Sequence, residues 1–117
     1  MKKRLLGLLV IVAMFLSTPV SAAVFRTIDV IPDITFNGTE ATCVVRITAD
    51  KATDEISATM ELWQGRTLVD RWDGEGVWSL KLDKTADVEK GKTYELVINY
   101  LVNGVEKPTV RISRTNE

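Results

Sequence analysis

Histidine is absent from these 117 residues, cysteine occurs once and proline three times. Without histidine the chain has no side chain that titrates unassisted near neutral pH, and it lacks the commonest zinc ligand. Mechanisms that pair a cysteine or serine nucleophile with histidine are therefore excluded. The single cysteine, Cys43, allows no disulfide within the chain. Ser57, Ser79 and Ser113 stand in no nucleophile motif, and no enzymatic activity is expected. Acidic residues gather at Asp50, Asp54 and Glu55 and again at Asp70, Asp73 and Glu75. Neither group has the spacing of a calcium loop, so both read as solvated turn residues, and no metal or other cofactor is implied.

What is present begins with MKKRLLGLLVIVAMFLSTPVSAAV. A basic start at Lys2, Lys3 and Arg4, an apolar run from Leu5 to Leu16 and the small residues of Val20-Ser21-Ala22 have the layout of a secretory signal. The run falls short of the roughly 20 apolar residues of a membrane helix, so cleavage after Ala22 is expected, leaving residues 23–117 as one domain. No cysteine follows the cut to take a lipid, and the tail VRISRTNE is polar. A secreted or periplasmic product without a stable membrane anchor is expected. Three of the 15 basic residues fall in the signal and all 16 acidic residues lie beyond it, so the remainder carries 12 basic against 16 acidic residues, a net charge of −4. That balance argues against nucleic acid, which is held chiefly by Lys and Arg.

Helical periodicity is missing beyond the signal, whereas apolar and polar residues alternate in stretches separated by Gly, Asn and Asp, as in an all-β chain. A first strand is expected from about Phe25 to Phe36, broken at Ile31-Pro32-Asp33 and confined by Pro32 to a sheet edge or a switch between sheets. Asn37-Gly38 turns the chain into a second strand, in which Ala41, Cys43, Val45, Ile47 and Ala49 share a face. Asn37-Gly38-Thr39 also fits a glycosylation pattern, but the turn explains it. Ile56, Ala58, Met60 and Leu62 line the inner face of a third strand, with Trp63 opposite. Thr67 to Trp72 follows, its facing unassigned. Asp73-Gly74-Glu75-Gly76 reads as a break, Val77 to Asp83 as a strand with Trp78, Leu80 and Leu82 in phase, and Lys84 to Lys92 as a crossing between sheets. Tyr94, Leu96, Ile98 and Tyr100 share a face of the strongest strand. A strict two-residue turn at Asn103-Gly104 would put Val110 and Ile112 on the outside, so an irregular final hairpin is expected, either with a three-residue loop or with a bulge near Pro108. About seven antiparallel strands at this spacing favour a two-sheet sandwich. Its core draws on Cys43, Val45, Ile47, Ile56, Met60, Leu62, Trp78, Leu80, Leu82, Leu96, Ile98, Val110 and Ile112.

The stretch VEKGKTYEL, Val88 to Leu96, resembles the corner that leads into the sixth strand of immunoglobulin-like and fibronectin-III-like domains. In those domains a tyrosine, here Tyr94, ties its hydroxyl to the upstream backbone, and some members carry a cysteine two residues later, where this chain has Leu96. Cys43 stands where the other half of that bridge lies. The resemblance thus implies an immunoglobulin-like sandwich with a free, buried Cys43 packed in the core. The short format, with ATC on one strand and GKTY further on, is also similar in layout to small secreted bacterial proteins of undefined role.

If the third and sixth strands are neighbours, as in such folds, their outward phase brings together Trp63, Val97, Asn99 and Leu101. A patch of this kind can bind a protein or stack a sugar ring. The expectation is therefore a monomeric binding module for a protein or surface glycan. A structural or assembly subunit, or an inhibitor presenting Asp73-Gly74-Glu75-Gly76 as a rigid loop, is the alternative.

Overall fold

A computed structural model describes residues 28–117, so the expected signal, its cleavage site and the start of the first strand lie outside the described residues. Eight strands follow in order: β1 (Asp29–Asn37), β2 (Glu40–Thr48), β3 (Glu55–Gln64), β4 (Thr67–Val77), β5 (Ser79–Asp87), β6 (Thr93–Val102), β7 (Val105–Glu106) and β8 (Val110–Thr115). They form two antiparallel sheets. One has the order β1-β2-β5; in the other, β4-β3-β6 is completed by β7 and β8, which both pair with β6. The two sheets face each other as a β-sandwich.

The alternating faces build the core. Ala41, Cys43, Val45 and Ile47 of β2 meet Ile56, Met60 and Leu62 of β3 and Tyr94, Leu96 and Ile98 of β6. Leu80, Leu82, Ala86 and Val88 close one flank, while Ile34 and partly buried Val30 and Phe36 come from β1. Each side chain of this size contributes about 1.5–3 kcal/mol when buried.

Two register shifts place residues that alternation alone leaves ambiguous. In β4, Leu62 pairs with Asp70 but Trp63 pairs with Leu68, so Val69 is an extra residue. This bulge lets both Val69 and Trp72 turn to the core, although they lie in opposite phases. In the last hairpin, Val102 pairs with Val105 across Asn103-Gly104, yet Ile98 pairs with Val110 and Leu96 with Ile112. The shift of one residue falls in the segment containing Pro108 and returns Val110 and Ile112 to the core side, as the expected bulge requires.

Four expectations need correction. β1 runs unbroken through Pro32, because as an edge strand it can lose a ladder donor on its open side. Asp73 to Gly76 is no break but the second half of β4. Its glycines serve close approach: a Cβ on Gly74 would lie 2.5 Å from Leu82 Cδ2, and one on Gly76 2.4 Å from the Ser79 carbonyl oxygen. β5 extends to Asp87, so only Val88 to Lys92 crosses between the sheets. Trp78 is not core. It links β4 to β5 at φ 68°, which takes its side chain out of the alternation, and it is 50% exposed.

Buried polar residues close both ends of the sandwich. At one end Asn116, 3% exposed, donates from Nδ2 to the carbonyls of Gly38 (2.8 Å) and Glu89 (3.1 Å). Its backbone pairs with Lys92 and Gly91. Beside it the Tyr94 hydroxyl accepts the Glu89 N–H at 2.7 Å, and the Tyr94 ring packs on Phe36 with centroids 5.8 Å apart. At the other end Asp54 accepts the Lys51 N–H and the Asn103 amide, each at 2.9 Å. Asn103 Oδ1 in turn accepts the Glu55 N–H, and the Asp54 carbonyl accepts the Trp78 N–H.

Cys43 is fully buried and unpaired. Burial, and secondarily the negative Asp70, push its thiol from 9.0 up to about 12. The neutral thiol packs as a small apolar group.

Two outcomes follow. Gly76→Ala, forced against a backbone oxygen, is expected to destabilise the domain by about 1–3 kcal/mol, read as a lower urea midpoint with unchanged slope. Cys43 is expected to resist iodoacetamide in the native protein at neutral pH. The unfolded thiol ionises near 9 and the folded one near 12, so its contribution is full below pH 9 and is lost as pH rises toward 12. Cys43→Val should flatten that part of the stability–pH profile.

Candidate functional site: the outer face of the larger sheet

β3 and β6 are direct neighbours, and cross-strand register orders their outward side chains into rungs. One rung reads Leu68, Trp63, Glu95 and Ser113. The next is Arg71, Glu61, Val97 and Arg111, followed by Asp73, Thr59 and Asn99. The last holds Glu75, Ser57, Leu101 and Glu106.

Of the four expected site residues, three line one groove. Trp63, Val97 and Asn99 surround it together with Glu61, Glu95, Arg111 and the turn residues Gly65 and Arg66, and its volume is about 410 Å³. Val97 contributes differently from the expectation: it is only 5% exposed, so it forms a floor beneath its neighbours' long side chains rather than an open apolar surface. Leu101, 36% exposed, lies four residues further along β6, about 13 Å away at the rise of an extended strand, and does not line the groove.

The walls are polar and mutually braced. Trp63 Nε1 donates to Glu61 Oε1 at 3.2 Å, which fixes the indole's orientation, while Arg71 reaches the other Glu61 oxygen at 3.6 Å. Arg71 also approaches Asp73, whose Oδ1 accepts the Thr59 hydroxyl at 2.8 Å. Across β6, Arg111 pairs with Glu95 at 3.4 Å. Asn99 Oδ1 accepts the Thr109 hydroxyl at 2.6 Å. Among the described residues, Asn99 Nδ2 and the Arg66 guanidinium have no protein partner. Surface pairs of this kind add little stability, so their interest lies in where they hold hydrogen-bonding groups.

The turn Gly65-Arg66 brings Arg66 over the groove because Gly65, at φ 59°, supplies the left-handed residue of a tight hairpin. Glu61 and Glu95 share the outward phase of Trp63 and Val97, and that alternation was the signal available for them. Arg111 faces outward only because of the bulge before β8.

The acidic residues elsewhere are not gathered toward the groove. Asp54 belongs to the closure of the sandwich end, and Asp50 lies near it beside Ile28 and Val102.

No protein-family profile matches the sequence, and no characterised protein shows significant sequence similarity to it. Solved structures do resemble it. A β-glucuronidase from glycoside hydrolase family 2 superposes with a TM-score of 0.51 at 10% identity over 76% of this chain, which spans only 11% of that enzyme. The sensor domain of the anti-sigma factor RsgI4 from Pseudobacteroides cellulosolvens superposes with a TM-score of 0.51 at 9% identity, over 80% of this chain and 99% of that one. Likenesses at this identity concern the fold alone, and they agree with the strand pairing in identifying a β-sandwich.

Proposed function

We propose that this chain is an exported, non-catalytic binding module of the immunoglobulin-like or fibronectin-III-like kind, which holds a protein or a surface glycan on the outer face of its larger sheet. The observation that carries the reading is the groove: a tryptophan hydrogen-bonded to Glu61 beside exposed donors at Arg66 and Asn99 that no protein group among the described residues engages. Binding sites combine an apolar contact surface with a few placed polar groups, and this groove has both.

The class assignment is supported by the tie from the Tyr94 hydroxyl to Glu89 and by a three-stranded sheet packed on a larger one. The basic, apolar and small-residue pattern of residues 1–22 supports export to the periplasm or beyond the cell. A non-catalytic role accords with the lack of histidine and with the engagement of both groove carboxylates by arginine.

A monomer is favoured over an assembly subunit because each lateral edge carries a device that discourages pairing. Pro32 lies in β1 and Pro108 beside the last strand. β4 has its bulge at Val69, and β5 puts charged Lys84 in the inward phase between Leu82 and Ala86. The inhibitor reading loses its support, since the residues proposed as its loop are part of β4.

The exported protein is expected to elute as a monomer in size-exclusion chromatography. It should bind intact cell envelopes of its source, with Trp63→Ala weakening binding at least tenfold and Ile31→Ala, on the opposite sheet, leaving it unchanged. A stable oligomer, or binding indifferent to Trp63, would contradict the proposal.

A further inference from the structure

We infer that the groove's ligand is a neutral polysaccharide, one of whose pyranose rings lies against Trp63; this rests on the binding-face reading above. The charge pattern of the walls carries the inference. Glu61 and Glu95 supply two negative charges, Arg66 and Arg111 two positive ones, all lining the same space as Trp63 and Asn99. The groove therefore has no net charge, yet it is dense in donors and acceptors. An anionic ligand would meet both carboxylates, a cationic one both guanidiniums, and an apolar peptide would strip water from all four without replacing their hydrogen bonds. A sugar hydroxyl both donates and accepts, so adjacent hydroxyls satisfy a carboxylate and a guanidinium together.

Trp63 adds the second requirement. Its Nε1 is already engaged by Glu61 at 3.2 Å, so the indole's remaining capacity is the apolar ring face, held in one orientation. That surface suits the flat C–H face of a pyranose, an amphipathic partner for an amphipathic side chain. Asn99 Nδ2 and Arg66, without protein partners among the described residues, are the donors left for hydroxyls or a ring oxygen. The volume of about 410 Å³ lies toward the small end of ligand cavities, roughly 300–1,000 Å³, and fits a short stretch of a chain rather than a folded partner.

Affinity electrophoresis of the exported protein in gels containing xyloglucan, hydroxyethylcellulose, glucomannan or dextran, with polygalacturonate as the anionic comparison, tests this. At least one neutral polymer should retard the wild type, and polygalacturonate should not. Trp63→Ala should abolish the retardation, Trp63→Tyr should restore part of it, and Asn99→Ala should weaken it several-fold, with thermal melting showing each variant folded. If none of the neutral polymers retards the protein, or polygalacturonate alone does, the assignment of a neutral polysaccharide is overturned. In that case, envelope binding that still depends on Trp63 and is destroyed by protease would leave the binding face standing with a protein as its ligand. Retardation that persists in Trp63→Ala would mean that the polysaccharide binds elsewhere, and would overturn the groove as its site and with it the binding face.

Discussion

The inner faces of the two sheets stay dry only if the segments crossing between them bring no unpaired backbone group along. Leaving one such group unsatisfied costs about 1–3 kcal/mol, a large part of a small domain's stability. Asn116 and Asp54 meet this requirement, one at each end. Asn116 joins the β1–β2 turn, the corner before β6 and the end of β8 through its side chain and backbone. Asp54 and Asn103 join the β2–β3 connection, the start of β3 and the β6–β7 turn, while the Asp54 carbonyl holds the link between β4 and β5. No buried side-chain nitrogen or oxygen among the described residues is left without a partner. These clamps tie each of the two ends of the sandwich together, and Cys43 packs as an apolar residue in between.

The division of labour between ends and face follows. Polar residues with several buried hydrogen bonds are committed to the frame, which is why Asp54, a solvated turn residue by its sequence setting, is buried instead. Trp78 belongs partly to the same frame. A bulky residue at φ 68° is strained, and it persists because its N–H is held by Asp54 and its carbonyl by the Ala49 N–H. The groove residues are instead tied to one another across adjacent strands, with only Val97 deeply covered. They are positioned by the pairing of β3 with β6, which the core faces of those strands enforce.

Alternation made much of this legible. The inward sets of β2, β3 and β6, the edge position of β1 and the irregular last hairpin all follow from residue phase, proline chemistry and the demand that Val110 and Ile112 be buried. Gly74 and Gly76 look like a break in sequence because glycine marks close approach as readily as a turn, and only the neighbouring Leu82 and Ser79 distinguish the two uses. Trp78 falls outside the core that its phase with Leu80 and Leu82 predicts, because one left-handed residue resets the alternation. In the groove, Trp63, Val97 and Asn99 were identifiable from outward phase, but Val97's burial depends on side chains reaching over it from other strands. Arg66 and Arg111 depended on turn geometry and a bulge, neither of which periodicity describes.

A preformed groove requires a frame that does not open locally, and native-state hydrogen exchange measures this directly. The amides of Glu89, Gly91 and Asn116 at one end, and of Glu55, Trp78 and Asn103 at the other, are expected to exchange only through global unfolding, at the free energy of Met60 and Ile98 in the central strands. Exchange of these end amides through local openings orders of magnitude more frequent than global unfolding would contradict the account.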